Sequence, residues 1–306
     1  MELPAAGLSS PLPASLGLAT KVAYAVESLP EIFFLFTKSD LKTILIPATI
    51  FACLSAPEVR LQRVLSSMWW TWLHLLQFCV SNQSLSPEED ALNKPWRPIP
   101  SGNISVATAR NLRWILLPSC LLQSFVYGVP WQGLSLAIVF LAHNEWALGS
   151  HWVLRTLCNA WGYASFNAGA AAIVSSWPGH TLQARTVLSF CCNAAIILTT
   201  IHAQDFRDEV GDKRLGRMTL PIAFSQASRI TIWVFLLSWS LGLSIFCATN
   251  YILAAAFCTL AMIVGARFYF WRDVEADQRS YLYYNVWLAC AQVVHTPVVM
   301  ALLRRS

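Results

Sequence analysis

Apolar residues in this chain run in stretches long enough to cross a lipid bilayer, a distance that takes about 20 residues of helix. Windows near 41–57, 61–81, 104–127, 131–150, 156–176, 182–203, 228–248, 251–270 and 281–302 fit that description, and the weaker ones are short or polar enough for their ends to shift by several residues. Backbone facing lipid must satisfy its own hydrogen bonds, so stretches of this kind fold as helices. The expected architecture is all-α, a polytopic integral membrane bundle of about nine transmembrane helices forming one domain over 41–306. A mobile tail, with room for an interfacial helix, is expected over 1–40. With 56% hydrophobic and only 12% charged residues, there is too little polar surface to coat a water-facing particle of this size.

Pro47, Pro118 and Pro297 fall inside these windows and are expected to kink or break their helices. The nine Cys show no C-x-x-C and no zinc spacing, and read as small hydrophobes. The first residues lack a basic region followed by a continuous apolar run, so no cleavable signal is expected. If the N-terminus is cytosolic, all but five of the 21 Lys and Arg residues fall on that side, the exceptions being Arg60, Arg63, Arg185, Arg304 and Arg305. That asymmetry is the positive-inside pattern. The net charge of +5 is spread over several loops without a polybasic run, so anionic lipid accounts for it, and neither nucleic acid nor a protein partner is expected.

The acids are more informative than the bases. Glu88, Glu89 and Asp90 lie in one polar segment, 82–103, and Asp205, Asp208, Glu209 and Asp212 in another, 204–221. An even number of windows separates the two, which puts them on one side of the membrane, where they can meet over one mouth of the bundle. Asp205, Asp208 and Asp212, spaced i, i+3 and i+7, would share one helical face and repel one another unless neutralised. Mg²⁺ suits such a stripe, because it favours a few carboxylates completed by water and phosphate oxygens. A solvated loop whose acids pair with Arg207, Lys213 and Arg214 would explain the same segment. In the first segment Asn82, Ser86 and Asp90 stand four residues apart, followed by the cations Lys94 and Arg97. Ser86, Pro87 and Glu89 also read as a helix start with a capping box. Pro95, Pro98 and Pro100 restrict the loop that carries Lys94, Trp96 and Arg97.

Taken together, the two segments resemble those of the UbiA superfamily of intramembrane prenyltransferases. Its pattern is an N-D-x-x-D-x-x-x-D loop ending in R-P-x-P-S-G, then a second loop, D-x-x-D-x-x-G-D-x-x-x-G-x-x-T-L-P, four spans later. The second loop here matches, with Asp205, Asp208 and Asp212 on the acidic positions. The first departs: Asn82-Gln83 stands for Asn-Asp, Ser86 for the central Asp, and Asp90 alone keeps a carboxylate. That altered loop, with N-K-P-W-R-P-I-P-S-G, is most similar to a fungal branch of membrane-bound terpene cyclases.

The resemblance implies an Mg²⁺-dependent enzyme of an endoplasmic-reticulum-type membrane, N-terminus and acidic loops cytosolic, that ionises farnesyl or geranylgeranyl diphosphate and closes it into a hydrocarbon. Asn82, Asp90, Asp205, Asp208 and Asp212 would hold the metal, while Lys94, Arg97, Arg155 and Lys213 would grip the diphosphate. Glu145, an ionisable residue inside the fourth window beside His143 and Asn144, is expected either to relay a proton or to pair with His143, His151 or Arg155. Trp69, Trp70, Trp72, Trp146, Trp161 and Tyr163 are candidates to face a carbocation, although interfacial belts explain most such residues. His74 and His202 read as packing residues. A prenyltransferase acting on an aromatic or other acceptor would share this fold and metal site. A transporter would call for duplicated halves with broken helices, and no duplication is found.

Overall fold

In a computed structural model, residues 29–175 and 182–303 are described. Lys21, Arg304, Arg305 and the first 28 residues of the expected tail lie outside them. Helix α1 (29–37) is followed by α2 (Leu41–Ser55), α3 (Leu61–Leu85), α4 (Pro87–Asn93), α5 (Val106–Val126), α6 (Pro130–Phe140) and α7 (Trp152–Ser175). The second half comprises α8 (Ala184–Thr200), α9 (Glu209–Arg214), α10 (Leu220–Ala223), α11 (Ser225–Phe246), α12 (Tyr251–Phe270), α13 (Val274–Val293) and α14 (Pro297–Leu303). No strand occurs among the described residues.

Two apolar clusters sit either side of α7. One gathers α1, α3, α5 and α6 around Phe36, Trp70, Leu75, Leu136 and Phe166, and the other gathers α8, α11, α12 and α13 around Ile196, Ile197, Phe268, Tyr284 and Trp287. Small residues of α7 explain its central place: Ala170 and Ala171 bring α2 close in a third cluster. Large apolar side chains elsewhere point outward, including Trp131, Ile245, Tyr251 and Ile252, each more than three-quarters exposed. A surface of that kind is stable in lipid rather than in water.

The part of the expected tail that is described, 29–40, is not loose: α1 buries Ile32 and Phe36 in the first cluster. The prolines act in three ways. Pro47 follows a π-helical turn at Leu41–Leu45, Pro118 sits inside an unbroken α5, and Pro297 opens α14 after an 81° bend from α13. Each of the nine apolar windows holds a helix or helix pair. Among the described residues, however, three helices are long and apolar enough to cross a membrane by length and composition, or four if the bent pair counts as one. The others fall short for a physical reason. Helix α2 is brief, and α3 carries Thr71, His74, Gln77, Ser81 and Gln83 buried inside the bundle, where they lower its hydropathy without meeting lipid.

Candidate active site

The two acidic segments meet at one end of the bundle. Helix α3 ends at Ser86, whose φ of −133° and ψ of 51° turn the chain into α4. Pro87 opens α4 as expected, but Ser86 makes no side-chain cap; its hydroxyl accepts instead from Arg217 Nη2 at 2.9 Å. The capping box is therefore absent, displaced by a stronger charged donor. The proline-rich loop is ordered by Asn103 N donating to Pro98 O at 2.9 Å and Ser101 Oγ donating to Arg97 O at 2.7 Å.

The second segment departs from a single helical face. Helix α8 passes into a 3₁₀ turn (Ile201–Gln204), Asp205 follows it, Asp208 precedes α9, and Asp212 lies within α9. These changes of pitch point the three carboxylates at three different bases. Helix α9 packs against α4 so closely that a Cβ at Gly211 would lie 2.2 Å from Asn93 Nδ2, so the glycine lets the two acidic segments touch. Gly216, at φ +68°, then reverses the chain and returns Arg217 over the site.

Five acids at this junction, Asp90, Asp205, Asp208, Glu89 and Asp212, each have a cation beside them. Asp90 Oδ1 lies 2.6 Å from Arg97 Nη1, Asp205 Oδ1 3.1 Å from Arg155 Nη2, and Asp208 Oδ2 3.2 Å from Lys94 Nζ and 3.7 Å from Arg207 Nε. Arg217 Nη1 reaches Glu89 Oε2 at 2.6 Å and Asp212 Oδ1 at 3.5 Å. Burial raises the Asp90 carboxyl against the opposing pull of Arg97 and Lys94, and raises Asp205 against Arg155. At Asp208 burial acts the same way, but Lys94 and Arg207 outweigh it and hold the carboxyl below its ordinary value. Burial dominates at Asp212, which is pushed up to about 6 despite Arg155 and Arg217.

These pairs surround a cavity of about 120 Å³ lined by Asn82, Lys94, Arg97, Arg155 and Asp208, and also by Ile44, Phe78, Tyr163 and Ile201. A second, larger cavity of about 680 Å³ adjoins it and shares Asn82, His143, Arg155 and Arg217. Asp90, Asp205 and Asp212 stand behind the bases that line the smaller cavity.

Two expected residues are engaged otherwise than expected, although Glu145 lines the larger cavity. Lys213, more than half exposed, pairs with Glu209 at 2.8 Å, one turn away on the outer face of α9, and lines neither cavity. Glu145 is taken up by Arg110 at 2.9 Å and fully buried Arg113 at 2.9 Å, with Ser81 Oγ donating at 3.4 Å, so it ties α3 and α5 to the π-helical turn Leu141–Glu145 that follows α6. None of the three partners expected for it is used, because Arg110 and Arg113 lie one turn apart on the α5 face beside it. Of the aromatic candidates Tyr163 lines the smaller cavity; Trp70 is core, and Trp69, Trp146 and Trp161 are exposed. The structure adds Asp40, Gln83, Phe78 and Arg207 to the lining. Asp40 had been assigned to the tail, and no local pattern marks the others.

Among the described residues, no group of three or more His, Cys, Asp or Glu side chains is close enough together to hold a metal ion, since bases stand between the acids. The donors nonetheless suit Mg²⁺ in kind. All are hard oxygens, and the buried Asp90 Oδ2 and Asp212 Oδ2 have no hydrogen-bond partner. An unpaired buried carboxylate oxygen is costly, and a divalent cation is one way to satisfy it.

A helical membrane-type bundle with two acidic loops closed over a polar pocket is the arrangement that comparison with known proteins identifies. The profile of the UbiA prenyltransferase family matches residues 44–289, and the chain belongs to that family. The fumagillin beta-trans-bergamotene synthase of Aspergillus fumigatus is 29% identical over 269 residues, covering 87% of this chain and 92% of that protein. A diterpene cyclase of Hericium erinaceus is 31% identical over 273 residues, covering 83% and 84%. Among solved structures, a digeranylgeranylglyceryl phosphate synthase superposes with a TM-score of 0.61 at 19% identity, over 88% of this chain and 98% of that one. A UbiA homologue from Archaeoglobus fulgidus, solved with GPP and Mg²⁺, gives 0.58 at 13%, over 86% and 99%. These last two establish the fold.

Proposed function

We propose that this protein is a membrane-bound terpene cyclase, which ionises farnesyl or geranylgeranyl diphosphate and closes the resulting cation into a hydrocarbon. The observation that carries the reading is the set of bases Lys94, Arg97 and Arg155, each holding an acid of the paired loops, around a cavity that Ile44, Phe78, Tyr163 and Ile201 also line. That the relatives include cyclases of sesquiterpene and diterpene type supports it. In this reading the bundle crosses the endoplasmic reticulum membrane about nine times, with the acidic loops on the cytosolic side.

Mg²⁺, held by the oxygens of Asn82, Asp90, Asp205, Asp208 and Asp212, would supply positive charge to the departing diphosphate. Lys94, Arg97 and Arg155 exchange their carboxylate partners for diphosphate oxygens, trading one anion for another. The allylic carbon–oxygen bond breaks with its electron pair leaving on diphosphate. A distal alkene then supplies the pair for the new carbon–carbon bond, and loss of a proton to the freed diphosphate leaves a neutral hydrocarbon. Phe78 and Tyr163 line the cavity and would place aromatic rings beside the cation, where water would otherwise capture it.

A prenyltransferase is the second reading, and the adjoining cavity of about 680 Å³ favours it, because an acceptor would need such space beside Asn82 and Arg155. Membranes containing the protein, supplied with Mg²⁺ and either diphosphate without acceptor, separate the two. The expected result is a cyclic hydrocarbon with an equal amount of diphosphate. Silence until an aromatic acceptor is added would overturn the cyclase reading.

A further inference from the structure

Arg217 is held differently from the other bases of the site. Lys94, Arg97 and Arg155 each have one acid within salt-bridge distance, whereas Arg217 has two and ties together groups from both loops. Its Nη1 lies 2.6 Å from Glu89 Oε2 and 3.5 Å from Asp212 Oδ1, and its Nη2 donates to Ser86 Oγ at 2.9 Å. Ser86 and Glu89 belong to the first loop and Asp212 to the second. The backbone on either side is fixed as well: Arg217 N donates to Asp212 O at 3.0 Å, and Met218 N donates to Ser150 O at 3.0 Å. The guanidinium thus has an all-oxygen environment of two carboxylates and a hydroxyl, bridging two loops, and oxygens of that kind are the donors a hard divalent cation also takes.

The sequence of the first loop explains why a guanidinium serves there. A carboxylate at position 86 would add a charged ligand for a divalent ion, but the chain has Ser86, a neutral oxygen. The Arg fork needs one neutral acceptor and two anions, and finds them. We propose that Arg217 is a resident cation that replaces a divalent ion at the Ser86 end of the site, so that a single Mg²⁺ serves the end formed by Asp90, Asp205 and Asp208. Asp212 joins the two ends, one oxygen on Arg217 and the other unpartnered. The proposal rests on the metal-dependent reading above, and it makes the junction of the loops independent of added metal.

Equilibrium dialysis of the full-length protein in detergent against Mn²⁺, with free Mn²⁺ read by electron paramagnetic resonance, counts the ions. The wild type is expected to bind one Mn²⁺ per chain, and Ser86→Asp combined with Arg217→Gln is expected to bind two. Two ions on the wild type, or one on a doubly substituted chain that elutes as the wild type does, overturns the proposal. No Mn²⁺ on the wild type, or binding that survives Asp208→Asn, defeats the metal reading itself and is distinguishable from both. Thermal unfolding gives an independent measure. The rise in Tm on adding Mg²⁺ should at least double in Arg217→Gln and return to the wild-type value in Arg217→Lys; equal rises in all three chains would also refute the role.

Discussion

Asp212 carries an ionisation that the fold opposes, and replacing it should stabilise the protein when metal is withheld. Its side chain is 1% exposed, one oxygen reaches Arg217 only at 3.5 Å, and the other has no partner. Burial accordingly lifts the carboxyl from its ordinary 3.8 to about 6. At about 1.4 kcal/mol for each tenfold change, that difference corresponds to about 3 kcal/mol withheld from the folded state at neutral pH. An acid raised in this way costs nothing below its unfolded value, an increasing amount as pH climbs from about 4 to about 6, and the full amount above. Asp212→Asn should therefore unfold several degrees higher than wild type at pH 7.5 in a chelator, followed by tryptophan fluorescence in detergent. The advantage should shrink as pH falls through 6 and disappear near 4. With Mg²⁺ added, the wild type should recover the difference and the variant should not. A wild type more stable than Asp212→Asn at pH 7.5 in chelator would show that Arg217 more than compensates the buried charge, and the reasoning would fail.

Three further outcomes are accessible. Asp208→Ala should lower diphosphate release from the prenyl diphosphate by at least about 100-fold while leaving the protein in membranes, since it removes an anchor for charge at the leaving group; wild-type turnover would refute that role. Lys213→Ala should keep turnover within about twofold, because the side chain faces outward on Glu209, and a KM raised tenfold would return Lys213 to the site. Gly211→Ala should cost about 1–3 kcal/mol by driving a methyl group into Asn93, and adding Asn93→Ala should restore most of the loss; a double variant no more stable than Gly211→Ala would disprove the contact.

The acidic loops were legible because acids are scarce in this chain, so any cluster of them needs a reason. Their spacing was less informative. Asp205, Asp208 and Asp212 fit one helical face on paper, but the change from α-helix to 3₁₀ turn at Ile201 turns them toward separate partners. Pitch changes of this kind are decided by packing against α4 and α13, which a local pattern does not contain. Asp40 was hidden by position, since α1 packs on the first cluster through Ile32, Phe33 and Phe36, too few to mark a core helix. Glu145 shows the same limit from the other side. An intramembrane acid is expected either to act on protons or to pair with a neighbour such as His143, His151 or Arg155, but the partners that hold it are Arg110 and Arg113, 35 and 32 residues earlier, which reach it across the bundle. Helix count was blurred by α3, whose polar residues face inward.

Closing Asp90, Asp205 and Asp208 each with a base has a consequence for how the proposed site would fill. A divalent ion arriving alone must take Asp90, Asp205 and Asp208 from Arg97, Arg155 and Lys94, leaving three buried cations without partners. A diphosphate arriving alone must draw those bases away and leave the carboxylates bare. Arriving together, the two exchange partners with the lattice and leave no buried charge uncompensated, so each should tighten the other, and by the same factor. Dialysis with Mn²⁺ should show its affinity rising at least tenfold when inorganic diphosphate is present, after correction for the Mn²⁺ that diphosphate binds in solution. The gain should be lost in Lys94→Gln combined with Arg97→Gln, in which the carboxylates are already free to take the metal. Equal Mn²⁺ affinity with and without diphosphate in the wild type would mean that the ion pairs open independently of what enters, and the lattice would then be a structural clasp rather than a means of admitting metal and substrate as one.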